Sequence, residues 1–148
     1  MIGLLQRVTE AFVDVDGERV ATIGAGLLVL VCVERDDTET QAERLAERIV
    51  GYRVFGDAEG RLNLSLADTG GGLLLVPQFT LAADTRKGMR PGLGRSAPPA
   101  QGEALFARLA EAARRRHAEV ACGRFGAHMQ VGLVNDGPVT FWLEARPV

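Results

Sequence analysis

Few side chains in this sequence are equipped for chemistry, and their spacing removes most reaction classes. The two histidines, His117 and His128, fall at a helix end and beside a strand. Neither Ser65 nor Ser96 therefore has an evident base, and neither occupies the strained strand-to-helix turn of a nucleophile elbow. Cys122 and His128 are the one cysteine and histidine grouping. They lack the paired close spacings of a zinc site, and no carboxylate cluster resembles a hard-cation cage, so neither a metal nor another cofactor is expected. Gly70-Gly71-Gly72 leads into the strand-like Leu73 to Val76 rather than out of a strand into a helix, which excludes a phosphate-binding loop.

Two segments remain, and both would act through their backbones. Asn135-Asp136-Gly137-Pro138-Val139-Thr140 interrupts a strand-like stretch running from Met129 to Leu143. Proline has no N–H, so the pair Gly137-Pro138 must break the sheet ladder, and something must compensate for the break. An X–Pro bond is also the one peptide bond that turns cis at modest cost, and a cis bond can aim neighbouring carbonyls the same way into a pocket. The second segment, Val76-Pro77-Gln78-Phe79-Thr80-Leu81, lies at the end of a buried strand, where alternation places Gln78 and Thr80 on one face and Phe79 on the other. Taken singly, each has an ordinary account: a turn with a trans proline, a glutamine satisfying a backbone group, a threonine serving as a plain β-former. Taken together they could present backbone carbonyls and N–H groups to a substrate, and on the residues alone the ordinary accounts stay open beside that reading.

The elements that would position these segments follow from periodicity. Leu4 to Val15 and Glu18 to Ile23 read as strands joined at the hairpin signal Asp16-Gly17. Leu27 to Val33 is an unbroken apolar run that suits a strand buried on both faces at the centre of a sheet. Thr38 with Gln41 forms a capping-box pattern ahead of Ala42, Leu45, Ala46, Ile49 and Val50 at helical spacing. Arg53 to Phe55 and Leu62 to Leu66 are short extended pieces around a polar turn. A second helix spans Pro99 to His117, and its terminal Arg114-Arg115-Arg116 complements the helix dipole. Between them, Ala83 to Ala100 is a long loop carrying Arg86, Lys87, Arg90 and Arg95. The order implies an α+β fold, a barrel-like antiparallel or mixed sheet with two helices packed outside.

With 148 residues, 47% of them hydrophobic, the chain has the size of a single domain, residues 1–148, with one core. Cys32 and Cys122 fit buried free thiols in a reducing compartment. No signal-peptide block or membrane-spanning run is present, so a cytoplasmic location without membrane attachment is expected. A net charge of −2 excludes a broad nucleic-acid-gripping face, so any RNA contact must be local.

Over nearly the whole chain the sequence resembles the bacterial D-aminoacyl-tRNA deacylases. The residues that carry this are Leu5-Gln6-Arg7-Val8, Gly26-Leu27-Leu28-Val29-Leu30, Asn63-Leu64-Ser65-Leu66, Gln78-Phe79-Thr80-Leu81, Ala83-Asp84-Thr85-Arg86-Lys87-Gly88 and Phe125 to Glu144. The resemblance implies hydrolysis of the ester joining a D-amino acid to the 3′-terminal adenosine of tRNA, with glycyl-tRNA mischarged on tRNA(Ala) as a further substrate and L-aminoacyl groups rejected. It implies a homodimer in which a cis Gly137-Pro138 pair projects from one subunit into the other's active site. Gln78, Phe79 and Thr80 would be the catalytic wall, with the Phe79 N–H as oxyanion donor and Thr80 either positioning or nucleophilic. Gly137, Pro138, Met129 and Arg7 would bind the aminoacyl group, and Arg86, Lys87 and Arg90 would meet the tRNA acceptor end unless they form only a solvated loop. Two positions depart from the family pattern: Pro77 replaces the usual serine, and His128 stands at a position usually held by aspartate. A non-catalytic module that binds aminoacyl-tRNA ends, a purely structural dimeric barrel, and a relaxed deacylase for a small L-amino acid are the competing readings.

Overall fold

In a computed structural model, which describes residues 1–147, the opening alternation becomes a strand, β1 (Ile2–Val15). It turns at Asp16 and Gly17, both at positive φ, into β2 (Glu18–Ile23). Positive φ at both central residues is what a tight hairpin turn requires. The apolar run becomes β3 (Gly26–Cys32), which pairs antiparallel with β1 and parallel with β6 (Gly72–Pro77). A short strand β7 (Val120–Cys122) extends the parallel part beyond β6. The long C-terminal strand β8 (Gln130–Glu144) runs antiparallel along β1. Because a strand has two hydrogen-bonding edges, β8 occupies one edge of β1, while β3 and then β2 share the other. Two further short strands, β4 (Phe55–Gly56) and β5 (Leu62–Leu64), form a separate hairpin.

The mixed sheet curls into a nearly closed barrel, and alternation along its strands sorts the core into two sides. Leu28 on β3 and Leu74 and Val76 on β6 meet Val8, Ala11 and Val13 of β1 on one face. Leu27, Val29, Leu73 and Leu75 meet the helices on the other. That division is the period-two rule applied to strands buried on both faces. At the start of the parallel pair the backbones approach so closely that a Cβ on Gly26 would lie 1.9 Å from the Gly72 carbonyl oxygen. Only glycine permits this approach.

Helix α1 (Glu39–Gly51) carries the capping box expected at Thr38 and Gln41, and buries Ala42, Leu45, Ala46, Ile49 and Val50. The second long helix begins at Pro99, as expected, and ends at Arg116. The expectation of two helices was low by one, because a short α-helix, α2 (Leu66–Thr69), begins at the last residue of the extended piece expected over Leu62 to Leu66, the first part of which is β5. Ser65 caps it through the Asp68 N–H, and Asp68 reaches back to the Ser65 N–H, a reciprocal box that outweighs strand pairing for so short a segment. The long helix is therefore α3 (Pro99–Arg116). Its terminal arginines do more than complement a dipole: Arg115 and Arg116, together with Arg108, reach Glu43 of α1. Among the described residues no helix is long and apolar enough to cross a membrane.

Candidate active site

Beyond Pro77 the chain leaves the sheet. The expected strand alternation through Gln78-Phe79-Thr80 is not found; Phe79–Ala82 is a turn of 3-10 helix with Gln78 at its N-cap position. β7 pairs with Leu73 to Leu75, and the Gly123 N–H still reaches the Leu75 carbonyl at 2.8 Å; Pro77 cannot continue that ladder, and the chain beyond it tightens into a turn. The Gln78 N–H returns to the Val31 carbonyl of β3 at 2.7 Å. The nitrogen of Pro77 lies on the opposite edge, which faces β7, where the Gly123 N–H donates to the Leu75 carbonyl and proline has no N–H to return. Pro77 thus ends the β6–β7 ladder.

The turn leaves the backbone N–H groups of Phe79 and Thr80 without a hydrogen-bond partner among the described residues, as the first donors of a helix usually are. Phe79 is 58% exposed and Thr80 is exposed as well, so the turn lies at the surface of the barrel. Behind them the Phe79 carbonyl is held by the Ser96 hydroxyl at 2.9 Å and the Cys32 thiol at 3.3 Å. Burial pushes the Cys32 thiol up to about 11, so it remains a protonated donor. The Gln78 amide donates to Thr80 Oγ1 at 2.5 Å. Thr80 thus bonds a donor and not a base, while His117 is occupied with the Gly71 carbonyl at 2.6 Å and His128 is exposed.

The second segment is a wide bulge in β8. Thr140 faces Gln6 and Asn135 faces Val8, so Asp136-Gly137-Pro138-Val139 stand opposite the single residue Arg7. The Gly137–Pro138 bond is cis, and Gly137 has φ +147. Asp136, Gly137 and Pro138 are exposed. Arg7 reaches across the base of the bulge: its Nε donates to the Asp136 carbonyl at 3.0 Å and its Nη1 to the Val54 carbonyl at 2.9 Å. The Asn135 side-chain amide donates to the Arg7 carbonyl at 2.9 Å and to the Val139 carbonyl at 3.1 Å.

Within one chain these two groups lie apart. Arg7 is level with Leu27 on β3, and Pro77 is level with Val31 on the same strand. That offset is about 13 Å along the strand direction at the usual rise per residue. Gln78, Phe79 and Thr80 therefore gather at one end of the sheet, and Arg7, Gly137 and Pro138 at the other. Met129 joins neither by hydrogen bond; it packs on the inner core and accepts the Arg124 N–H at its sulfur.

The loop from Ala83 to Pro98 starts directly after the 3-10 turn. It is tied to the barrel by the Ser96 contact and by Arg95 on the buried Glu34 at 2.6 Å. Arg86 is committed to Asp84 through two side-chain bonds, which hold the Asp84 carboxyl well below the usual carboxylate range. Lys87 and Arg90 are exposed and make no salt bridge among the described residues. Sequence reasoning missed Cys32 and Ser96, which are 47 and 17 positions from Phe79 and carry no local signal of the contact. No group of three or more histidine, cysteine, aspartate or glutamate side chains suited to a metal occurs among the described residues.

The family model described as D-Tyr-tRNA(Tyr) deacylase matches residues 4–144. A D-aminoacyl-tRNA deacylase of Thioalkalivibrio sulfidiphilus is 66% identical over 147 residues, with 99% of each chain covered. One of Alkalilimnicola ehrlichii is 65% identical over 147 residues, covering 99% of this chain and 98% of the relative. Among solved structures, the c-Myc DNA Unwinding Element Binding Protein superposes with a TM-score of 0.94 at 37% identity, covering 99% of this chain and 100% of that one. A probable eukaryotic D-amino acid tRNA deacylase shares the fold, with a TM-score of 0.83 at 18% identity over 97% of this chain and 98% of that one.

Proposed function

The chain belongs to the D-Tyr-tRNA(Tyr) deacylase family, and from that premise we propose that it hydrolyses the ester of D-aminoacyl-tRNA, releasing the free D-amino acid and tRNA. The observation that carries the reading is the pair of unpartnered N–H groups at Phe79 and Thr80, exposed beside a threonine that no base contacts. An ester carbonyl placed against the Phe79 N–H would develop its oxyanion there, and one such donor is worth about 3 kcal/mol in other acyl-transfer sites. The 2′-hydroxyl of the terminal ribose assists attack by water, and the 3′-oxygen leaves with the proton. Gln78 and Thr80 position the substrate.

The enzyme acts as a homodimer of one-domain subunits, residues 1–148, in the cytoplasm where tRNA is charged. The separation of the two groups within one chain supports this, because a second copy is needed to bring Gly137 and Pro138 to Phe79. Their carbonyls accept hydrogen bonds from the substrate's amino group, and the narrow space beside them excludes an L side chain, with Met129 and Arg7 behind. Discrimination then arises from a clash with the wrong partner rather than from added affinity for the right one. Glycine has no side chain to exclude, so glycyl-tRNA mischarged on tRNA(Ala) is accepted as well. Lys87 and Arg90, with Arg86 held by Asp84, meet phosphates near the acceptor end as local charge-assisted contacts. A net charge of −2 does not supply the counterion release on which non-specific duplex binding depends.

Purified protein incubated with D-tyrosyl-tRNA and L-tyrosyl-tRNA side by side tests the function. Rapid loss of the D ester alone is expected. Loss of neither would identify a binding module, and loss of both would point to a relaxed deacylase.

A further inference from the structure

The four-residue bulge in β8 leaves the β1 backbone at Arg7 without a facing strand residue, and a side chain fills the gap. Asn135 sits at the neck, half-buried, where the bulge departs from the ladder. Its one NH2 group donates to two carbonyls on different stretches of chain: Arg7 on β1, and Val139 at the far side of the bulge. Both partners are carbonyl oxygens, which can only accept, so the nitrogen must stand there and the amide orientation is fixed. The amide oxygen is left facing the Thr140 hydroxyl at 3.5 Å. A single planar group thereby joins the entry of the bulge, its exit and the adjacent strand.

We infer that Asn135 is a positioning residue for the substrate-selecting tip Gly137-Pro138: it substitutes for the missing ladder bonds and fixes how far and in which direction the tip projects. The inference rests on the proposed role of that tip. Arg7 holds the tip from the other side, through the Asp136 carbonyl. The two contacts divide the work, since Arg7 pins the ascending limb while Asn135 pins the descending limb to β1. Asn135 itself need touch no substrate. Exclusion of an L side chain depends on the tip's placement at sub-ångström level, so loosening the neck should degrade selectivity more than it degrades folding.

The test compares wild type, Asn135→Ala and Asn135→Ser for hydrolysis of D-tyrosyl-tRNA and L-tyrosyl-tRNA, with thermal unfolding of each. Asn135→Ala should lose about tenfold or more in kcat/KM on the D ester, the scale of two lost hydrogen bonds. It should also make the L ester a measurable substrate. Asn135→Ser keeps one donor and should fall between, and its D-to-L ratio decides the matter if the alanine variant does not fold. A variant that melts earlier yet keeps the wild-type D-to-L ratio would overturn the inference, leaving Asn135 a merely structural residue. Wild type that hydrolyses neither ester would overturn the functional reading, and this role with it.

Discussion

Replacing Gly137 with alanine adds one methyl group at the point where the account predicts the greatest sensitivity. Gly137 has φ +147, a backbone region that L residues rarely adopt, and its added Cβ would lie 2.6 Å from both the Val139 Cγ2 and the Val139 nitrogen. Holding alanine in such a conformation costs about 1–3 kcal/mol. Forcing a methyl group into an occupied space costs a similar amount, about 1–3 kcal/mol. The two combined exceed what an exposed bulge can resist, so the tip moves rather than the barrel unfolding. Asp136, Gly137 and Pro138 are all exposed, and only Val139 packs against the helix-side core. A displacement of this order in a positioning element typically costs about 100-fold in rate. The expected outcome is a fall of about 100-fold in kcat/KM for D-tyrosyl-tRNA with a melting temperature only a few degrees below wild type, read by single-turnover ester loss and thermal unfolding. Asp136→Ala is the control. Arg7 bonds the carbonyl of that residue at 3.0 Å, while its carboxylate is 3.6 Å away and half exposed, so activity should stay near wild type. Wild-type turnover by Gly137→Ala would refute the reasoning, because it would mean that the tip takes no part in the reaction.

Two further outcomes follow from the same structure. Lys87 is exposed and unpaired among the described residues, whereas Arg86 is already bound to Asp84. Lys87→Ala should therefore weaken binding to all tRNAs alike and reduce the salt slope of binding by about one; filter binding at several salt concentrations measures it. Cys32 is fully buried with its thiol raised to about 11, and Cys122 is also raised by burial. Both remain protonated in the folded protein at pH values well below those shifted positions, so alkylation by iodoacetamide near neutrality should be slow at Cys32 until the chain unfolds, as followed by mass spectrometry.

The strands, the capping box of α1 and the start of α3 were legible because each rests on local signals: apolar alternation, Thr38 with Gln41, and Pro99 at a first helical position. The short helix was missed because Leu62, Leu64 and Leu66 alternate as one strand, of which Leu62–Leu64 is indeed β5, while the Ser65 and Asp68 bonds that start the helix at Leu66 are side-chain effects. Gln78-Phe79-Thr80 was misread because strand alternation was carried past Pro77, which has no N–H to continue the ladder with β7 and after which the chain leaves the sheet. The bulge was foreseen as a break needing compensation. Its compensators, Arg7 and Asn135, lie 128 positions apart, and only the register of β1 against β8 pairs them.

In the proposed reaction backbone groups, not a side-chain nucleophile, carry the chemistry. Single-turnover hydrolysis of D-tyrosyl-tRNA by Thr80→Ala is the sharpest test, since the Thr80 hydroxyl belongs to the same turn as the unpartnered N–H groups and its partner is the Gln78 amide. Turnover within about tenfold of wild type is expected, the loss of a positioning contact. A loss of about 10,000-fold or more, the scale on which triad members are lost, would contradict it and make Thr80 the nucleophile.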